Sequence, residues 1–247
     1  MNWARFRETL KVRRESDVHP HVAEEKATYF RSMAFESTEI EYLDLLFALV
    51  KATKPVSLLE TGSYHGVSSV CMALAIKENE LDGAPVCAII SIERDIENIR
   101  KAAALAEEWS VRQYITFVQG DASGFLLSHS FASQLDMVFL DSTRTKRVEE
   151  FEILRQRNLL KSEAFIVFHD TSALRAKSIP DQGESQSFYL AELRKVALFC
   201  EGPIVFSLSR GLHLFQYSPS RLAEWSRNNS RPKAEAEQSL ESRTITK

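Results

Sequence analysis

Glycine is scarce in this chain: there are 8 in 247 residues, about half the share near 7% usual in soluble proteins. Each one is therefore expected to stand where the backbone needs it. Cysteine is scarcer still. Cys71, Cys87 and Cys200 lie far apart with no Cys-x-x-Cys pair, which argues against a disulfide framework or a zinc ribbon and points to a reducing compartment. No apolar run approaches the roughly 18–20 residues a membrane span needs. The opening stretch Met1–Glu15 lacks the apolar segment of a signal peptide, so a cytoplasmic protein with no membrane partner is expected. Excess positive charge is also missing. A net charge of −3 demotes a nucleic-acid partner, whose phosphates would call for a basic balance. What remains is 44% hydrophobic and 26% charged residues, enough for one sizeable core in one or two domains, with no internal repeat.

Apolar runs alternate with helical spacing along most of the chain. Strands are expected at Val56–Glu60, Val86–Glu93, Tyr114–Gln119, Leu135–Asp141, Ala164–Asp170, Ile204–Leu208 and Leu212–Tyr217. The earlier runs are almost continuously apolar, as in parallel strands buried on both faces. Helical spacing fills Val67–Asn79, Asp95–Glu108, Lys146–Leu160 and Gln186–Phe199, with a shorter helix over Gly124–Ser133. Such alternation predicts an α/β, doubly wound sheet. Only Ser209-Arg210-Gly211 separates the last two runs, a hairpin signal that makes the final strand antiparallel. Thr38-Glu39-Ile40-Glu41 has the pattern of a capping box opening a helix through Val50. Trp3, Phe6 and Leu10 share one helical face, so residues 1–34 are read as a helical segment that covers the sheet domain or makes an oligomer contact. Residues 35–217 form the main domain. Residues 218–247 are polar and without apolar periodicity, and disorder is expected there.

The sharpest local signal is Glu60-Thr61-Gly62-Ser63-Tyr64-His65-Gly66-Val67-Ser68-Ser69. An apolar strand ends in an acid, and two glycines then flank a tight turn running straight into a helix. Such a turn brings the backbone close to a ligand and offers it unpaired N–H groups. The spacing could cradle a dinucleotide or another adenosine-bearing cofactor. Tyr64 stands where the second glycine of G-x-G-x-x-G would be, which disfavours a nicotinamide-dependent oxidoreductase. The next two strands also end in acids, at Ser91-Ile92-Glu93-Arg94 and Gln119-Gly120-Asp121-Ala122. A carboxylate such as Glu93 at that edge can accept both hydroxyls of a ribose. The competing reading is that these acids are helix caps or first-turn charges.

Together these stretches, with Leu135–Asp141 and Phe165–Thr171, make the chain resemble the class I S-adenosylmethionine-dependent methyltransferases, most closely the catechol O-methyltransferase-like and small-molecule or sugar O-methyltransferase group. The resemblance runs from about Phe35 to Tyr217. It implies a Rossmann-like sheet of seven strands in the order 3-2-1-4-5-7-6. It also implies S-adenosyl-L-methionine as cofactor, with Glu60, Gly62, Ser63 and Gly66 around its methionine part and Tyr64 and Ser68 beside it. Glu93 and Arg94 would serve the ribose, Asp121 or Ala122 would lie near the adenine, and Asp141 would face the reactive end.

The chemistry-bearing edge departs from that pattern. Aligned without gaps, the Asp-Asn metal pair of the catechol type becomes His169-Asp170, and its lysine base falls on Arg144, which does not give up a proton at working pH. Three readings of His169 stand open. It joins Asp141 and Asp170 around a divalent cation (magnesium, or manganese given the imidazole) that would activate a hydroxyl. It is a general base in a metal-free site with Asp141 and Arg144. Or it is a strand-end histidine satisfied by backbone groups. His65 is read as shaping the cofactor turn, His129 and His213 as surface or edge residues, and His19 and His21 as carrying no metal site. Trp109 is read as packing. Lys146 and Arg147, cations at an expected helix start, are read as a solvated face, with a substrate-facing role as the alternative.

The expected function is methyl transfer to an oxygen of a small molecule. The rivals are N-methylation on the same scaffold and a non-catalytic partner protein retaining the fold. A homodimer is the expected assembly. Substrate choice is expected to rest on the N-terminal segment, the stretch after Asp141 and the loop Thr171–Ser185, whose Pro180 and Gly183 suit a lid.

Overall fold

The computed structural model describes residues 3–16, 38–173, 183–207 and 210–221. Its elements, in chain order, begin with α1 (Trp3–Ser16), α2 (Ile40–Thr53), β1 (Ser57–Thr61), α3 (Val67–Leu81) and β2 (Ala88–Glu93). They continue with α4 (Ile96–Glu108), a 3-10 turn at Arg112–Tyr114, β3 (Ile115–Gln119), α5 (Ala122–Ser128), β4 (Leu135–Leu140) and α6 (Arg144–Gln156). The last are β5 (Leu160–His169), α7 (Gly183–Val196), β6 (Cys200–Phe206) and β7 (Leu212–Tyr217). The seven strands form one sheet in the order β3-β2-β1-β4-β5-β7-β6, parallel except for β7, as the resemblance implies.

Consecutive residues of the central strands point to opposite faces, and both faces are dry. Leu58, Met137 and Val167 belong to one apolar cluster with α2 and α3; Leu59, Val138, Ile166 and Phe168 belong to the other with α6 and α7. Two buried faces are why these strands read as unbroken apolar runs rather than alternating ones. The expected face of α1 is real: Phe6 and Leu10 are buried, Trp3 stacks on Phe47 at 5.1 Å, and Phe6 meets Trp109 edge-on at 4.8 Å. Arg7 and the Trp3 indole both donate to Asp44 on α2, pinning α1 to the domain. Among the described residues no helix is long and apolar enough to cross a membrane.

Several boundaries differ from the sequence expectation. Helix α6 stops at Gln156 because Asn158 takes φ +54°, and β5 then starts at Leu160, before the polar Lys161-Ser162-Glu163 bulge that hides the strand in the sequence. The capping box does not form. Thr38 is buried with its hydroxyl unpartnered, and Glu39 takes the N-cap position of α2 without making a side-chain cap bond. The Glu39 side chain is committed elsewhere, as described below. His213 lies on β7, between β5 and β6 rather than at an edge, and burial pushes its imidazole down to about 4. His19, His21, most of the expected Thr171–Ser185 lid and residues 222–247 lie outside the described residues.

Candidate functional site

The parallel strands deliver their carboxyl ends to one edge, and backbone bonding continues past them. Gly62 N–H donates to Ile92 O (2.8 Å), Asp141 N–H to Thr61 O (2.9 Å) and Gly120 N–H to Glu93 O (3.0 Å). These bonds hold the turns after β1, β2, β3 and β4 side by side around a cleft of about 560 Å³. Glu93 and Asp121 line it beneath β2 and β3; Asp141, Arg144, Asp170 and Arg210 line it beneath β4 and β5.

At the β1 turn, Gly62 has φ +82° and lies so close to β4 that a Cβ would stand 2.4 Å from the Asp141 carbonyl oxygen. Tyr64, also at positive φ, faces the cleft with its ring stacked on His65 at 3.8 Å. Glu93 receives the Tyr64 and Asp95 N–H groups at 3.0 Å each, one on each oxygen. That fixes the carboxylate and leaves each oxygen a further lone pair for the cleft. Arg94 and Ala122 also line the cavity. Asp121 caps α5 by accepting the Gly124 N–H at 3.0 Å, so the cap reading holds for it while it also lines the cleft.

Three residues expected around the cofactor sit elsewhere. Glu60 is fully buried beneath the turn, where its carboxylate accepts the hydroxyls of Ser68, Ser69 and Ser91. Ser68 is thereby turned away from the cleft as well. Burial pushes the Glu60 carboxyl up, and the three hydroxyls offset part of that. Gly66 is a packing glycine: a Cβ there would stand 2.6 Å from the Ala102 Cβ, on α4.

At the other end lies a buried ionic cluster. Glu39, at the start of α2, gives Oε2 to His169 Nε2 (2.8 Å) and Oε1 to the Arg210 N–H (2.6 Å). The Nδ1 of His169 meets Asp141 Oδ1 at 2.9 Å. Both ring nitrogens thus face carboxylate oxygens, and His169 is wholly buried. Neither nitrogen faces the cleft, which counts against the general-base reading, and the partners are side-chain carboxylates rather than the backbone groups of the third reading. Arg147 is buried rather than solvated. Its Nη2 donates to Asp141 Oδ1 (2.8 Å) and Asp170 Oδ2 (2.9 Å), its Nη1 to the His169 carbonyl (2.5 Å) and its Nε to the Ser142 carbonyl (2.9 Å). Arg210 Nε reaches the other Asp170 oxygen at 2.5 Å. Three carboxylates are thus met by two guanidinium groups and the imidazole ring between two of them. Lys146, by contrast, is exposed and paired with Glu149.

The expected metal ligands Asp141, His169 and Asp170 do come together, with one donor atom each within 4.8 Å of the others. They do not fit an ion. Arg147 Nη2 stands between the two carboxylates, and a cation bonded at about 2 Å would need that volume. Both ring nitrogens of His169 are already set against carboxylate oxygens, of Glu39 and Asp141.

Comparison with known proteins places this geometry. The family described as "Methyltransferase domain" matches residues 59–171, the stretch that builds the cleft from β1 to the end of β5. A caffeoyl-CoA O-methyltransferase from Stellaria longipes is 29% identical over 165 residues, which take in 63% of this chain and 65% of that protein's length. The O-methyltransferase TomG from Streptomyces achromogenes, solved with S-adenosylmethionine, superposes with a TM-score of 0.60 at 20% identity over 88% of this chain and 99% of its own. The methyltransferase PaMTH1 of Podospora anserina, solved with S-adenosylhomocysteine, gives 0.62 at 14% identity over 85% and 94%. Residues 59–171 thus match a methyltransferase domain, on a sheet that has the fold of those methyltransferases.

The residues of the cleft fit the cofactor of such a domain. Glu93 lines the cleft, and two buried hydroxyls near it, Ser63 Oγ after β1 and Ser123 Oγ on the first turn of α5, have no hydrogen-bond partner among the described residues. The cleft's acceptor end depends on residues that sequence patterns did not single out. Glu39 had a faint signal, since glutamate is not a favoured cap, and Arg147 had one in a cation placed on a helix's first turns. Arg210 and Glu150 had none. Glu150 is buried on α6, where it accepts from Ser142 (2.5 Å) and Thr61 (2.8 Å), and burial pushes its carboxyl up.

The cluster also ties the stability of the fold to pH on the acid side. Burial alone would raise the Asp141 carboxyl, but His169 and Arg147 beside it overcome that and hold it at about 2, below its ordinary 3.8. A depressed carboxylate contributes stability above its unfolded pKa and loses it as pH falls through the folded one. The urea midpoint is therefore expected to hold down to about pH 4 and to fall between about pH 4 and pH 2. In Asp141→Asn that part of the slope should be shallower.

Proposed function

We propose that this methyltransferase moves a methyl group from S-adenosyl-L-methionine to an oxygen of a small molecule. The observation that carries the reading is the cleft itself: one cavity reaches from the Glu93 carboxylate, which can take the hydroxyls of a ribose, to the charged end at Asp141. When bound, the cofactor supplies an electrophilic sulfonium methyl, and the rest of the catalysis is placement in line with it. Glu93 accepts from the ribose, Ser63 and the N–H groups of the Gly62 turn serve the methionine part, and Asp121 and Ala122 border the adenine.

Asp141 gives one oxygen, Oδ1, to His169 and Arg147, and its Oδ2 has no partner among the described residues. Held ionised, that Oδ2 accepts a hydrogen bond from the acceptor hydroxyl, orients its lone pair toward the methyl, and takes up the hydroxyl proton as the C–O bond forms and the sulfonium C–S bond breaks, leaving the neutral thioether. Arg144, on the first turn of α6 and braced by Gln186 at 2.8 Å, supplies charge to the substrate rather than a base. The acceptor is a small molecule in keeping with the O-methyltransferase relatives, and the protein is read as cytoplasmic and homodimeric.

Calorimetric titration of ligand-free protein with S-adenosylhomocysteine tests the reading. Micromolar binding is expected, and Glu93→Ala should weaken it by about 1.5–3 kcal/mol, roughly ten- to hundredfold. Folded protein that takes up none at millimolar ligand would instead point to a partner protein on a methyltransferase scaffold. Unchanged affinity in Glu93→Ala would remove the ribose assignment.

A further inference from the structure

We propose that the Arg147 guanidinium is a permanent internal cation standing where a divalent metal would have to sit, so that the acceptor end of the cleft works without one. This rests on the functional reading above.

Position is the first argument. A metal shared by Asp141 and Asp170 would lie between their facing oxygens, and Arg147 Nη2 already bridges those two atoms at 2.8 and 2.9 Å. Saturation is the second. Four of the five guanidinium N–H bonds are spoken for, by Asp141, Asp170 and the carbonyls of Ser142 and His169. Those carbonyls follow β4 and end β5, so the charge is fixed to the strand ends themselves. The Tyr189 ring lies 5.7 Å from the guanidinium carbon, and the Tyr189 hydroxyl joins Arg147 on the His169 carbonyl at 3.0 Å. Balance is the third. The carboxylates of Glu39, Asp141 and Asp170 are already met by Arg147, Arg210 and the His169 ring, so a divalent ion must first expel a buried arginine.

Arg147 is thus a positioning residue. By taking Oδ1 of Asp141 it leaves Oδ2 as the oxygen available to the cleft.

Thermal melts of chelator-treated full-length protein decide the matter, run alone, with S-adenosylhomocysteine and with 1 mM Mn²⁺, alongside an electron paramagnetic resonance titration of Mn²⁺. A metal held at about a hundred times its dissociation constant would raise Tm by roughly 5–10 °C in a chain of this size. The expected result is a Tm rise with S-adenosylhomocysteine, a change under about 1 °C with Mn²⁺, and a free-ion Mn²⁺ signal throughout the titration. A Mn²⁺ shift of the larger size that Asp141→Asn removes, or saturable loss of the free signal at one ion per chain, overturns the inference and leaves the cofactor reading intact. A Mn²⁺ shift that persists in Asp141→Asn arises elsewhere on the protein and supports it. Loss of the S-adenosylhomocysteine response alone would overturn the cofactor reading, while the Mn²⁺ arms still report on Arg147.

Discussion

Arg147→Met should lower the stability of the domain by about 3–5 kcal/mol, the cost of removing one partner from a buried charge pair. Methionine keeps most of the stem, so little packing is lost and the effect isolates the guanidinium. Without it, Asp141 and Asp170 confront each other across a space where Asp170 is almost wholly buried, although Arg210 still holds Asp170. The Ser142 carbonyl loses its donor at the same time, while the His169 carbonyl keeps the Tyr189 hydroxyl. At about 2–4 °C per kcal/mol for a chain of this size, Tm should fall by roughly 6–20 °C. Arg147→Lys should recover part of this, because one ammonium can serve a carboxylate but cannot reach both carbonyls as the fork does. A loss below about 1 kcal/mol in Arg147→Met, by chemical denaturation, would return Arg147 to the solvated face that its helix position suggests.

Gly62→Ala should be nearly as damaging, and for a reason that a second glycine separates cleanly. Gly62 and Gly83 share almost the same φ, +82° and +81°. A Cβ at Gly83 would meet nothing within 4 Å, whereas one at Gly62 would meet backbone atoms of Asp141 and Ser142 between 2.4 and 2.8 Å away. Both substitutions carry the left-handed penalty of about 1–2 kcal/mol. Only Gly62→Ala adds overpacking, a further 1–3 kcal/mol or so, because backbone cannot swing aside as a side chain can. The turns after β1 and β4 must separate, which also spreads the cleft between Glu93 and Asp141. The expected result is a modest Tm change in Gly83→Ala, against a large one in Gly62→Ala with at least tenfold weaker binding of S-adenosylhomocysteine. Equal effects in the two variants would mean that the close approach to Asp141 is unimportant.

The sheet could be read from the chain because each central strand is dry on both faces and announces itself as an apolar run ended by an acid. Glu93, Asp121 and Asp141 follow from that rule, since parallel strands must bring their ends to one edge. Glu60 obeys the same pattern and yet points down, where Ser68, Ser69 and Ser91 provide a buried polar nest that no spacing reveals. The capping-box motif at Thr38 failed for a related reason. A local bond across one helical turn lost to tertiary partners, because Glu39 gains an imidazole and a backbone N–H once the sheet is assembled. Arg147 and Arg210 were opaque because what gives them meaning is the neighbour across the sheet edge rather than the residue beside them.

Those neighbours are far away along the chain. Glu39 meets His169 across 130 residues and Arg210 across 171, and Asp170 waits for Arg210 across 40. Contacts this distant form late, after loop closure has been achieved by the intervening elements. Until the β6–β7 pair folds back onto β5, Glu39 and Asp170 lack the arginine that completes them. Any chain halted before Arg210 would carry uncompensated negative charge at the very edge where the cleft is to form. Assembly of the acceptor end is thereby tied to arrival of the last hairpin, so an incompletely folded molecule cannot present a finished site.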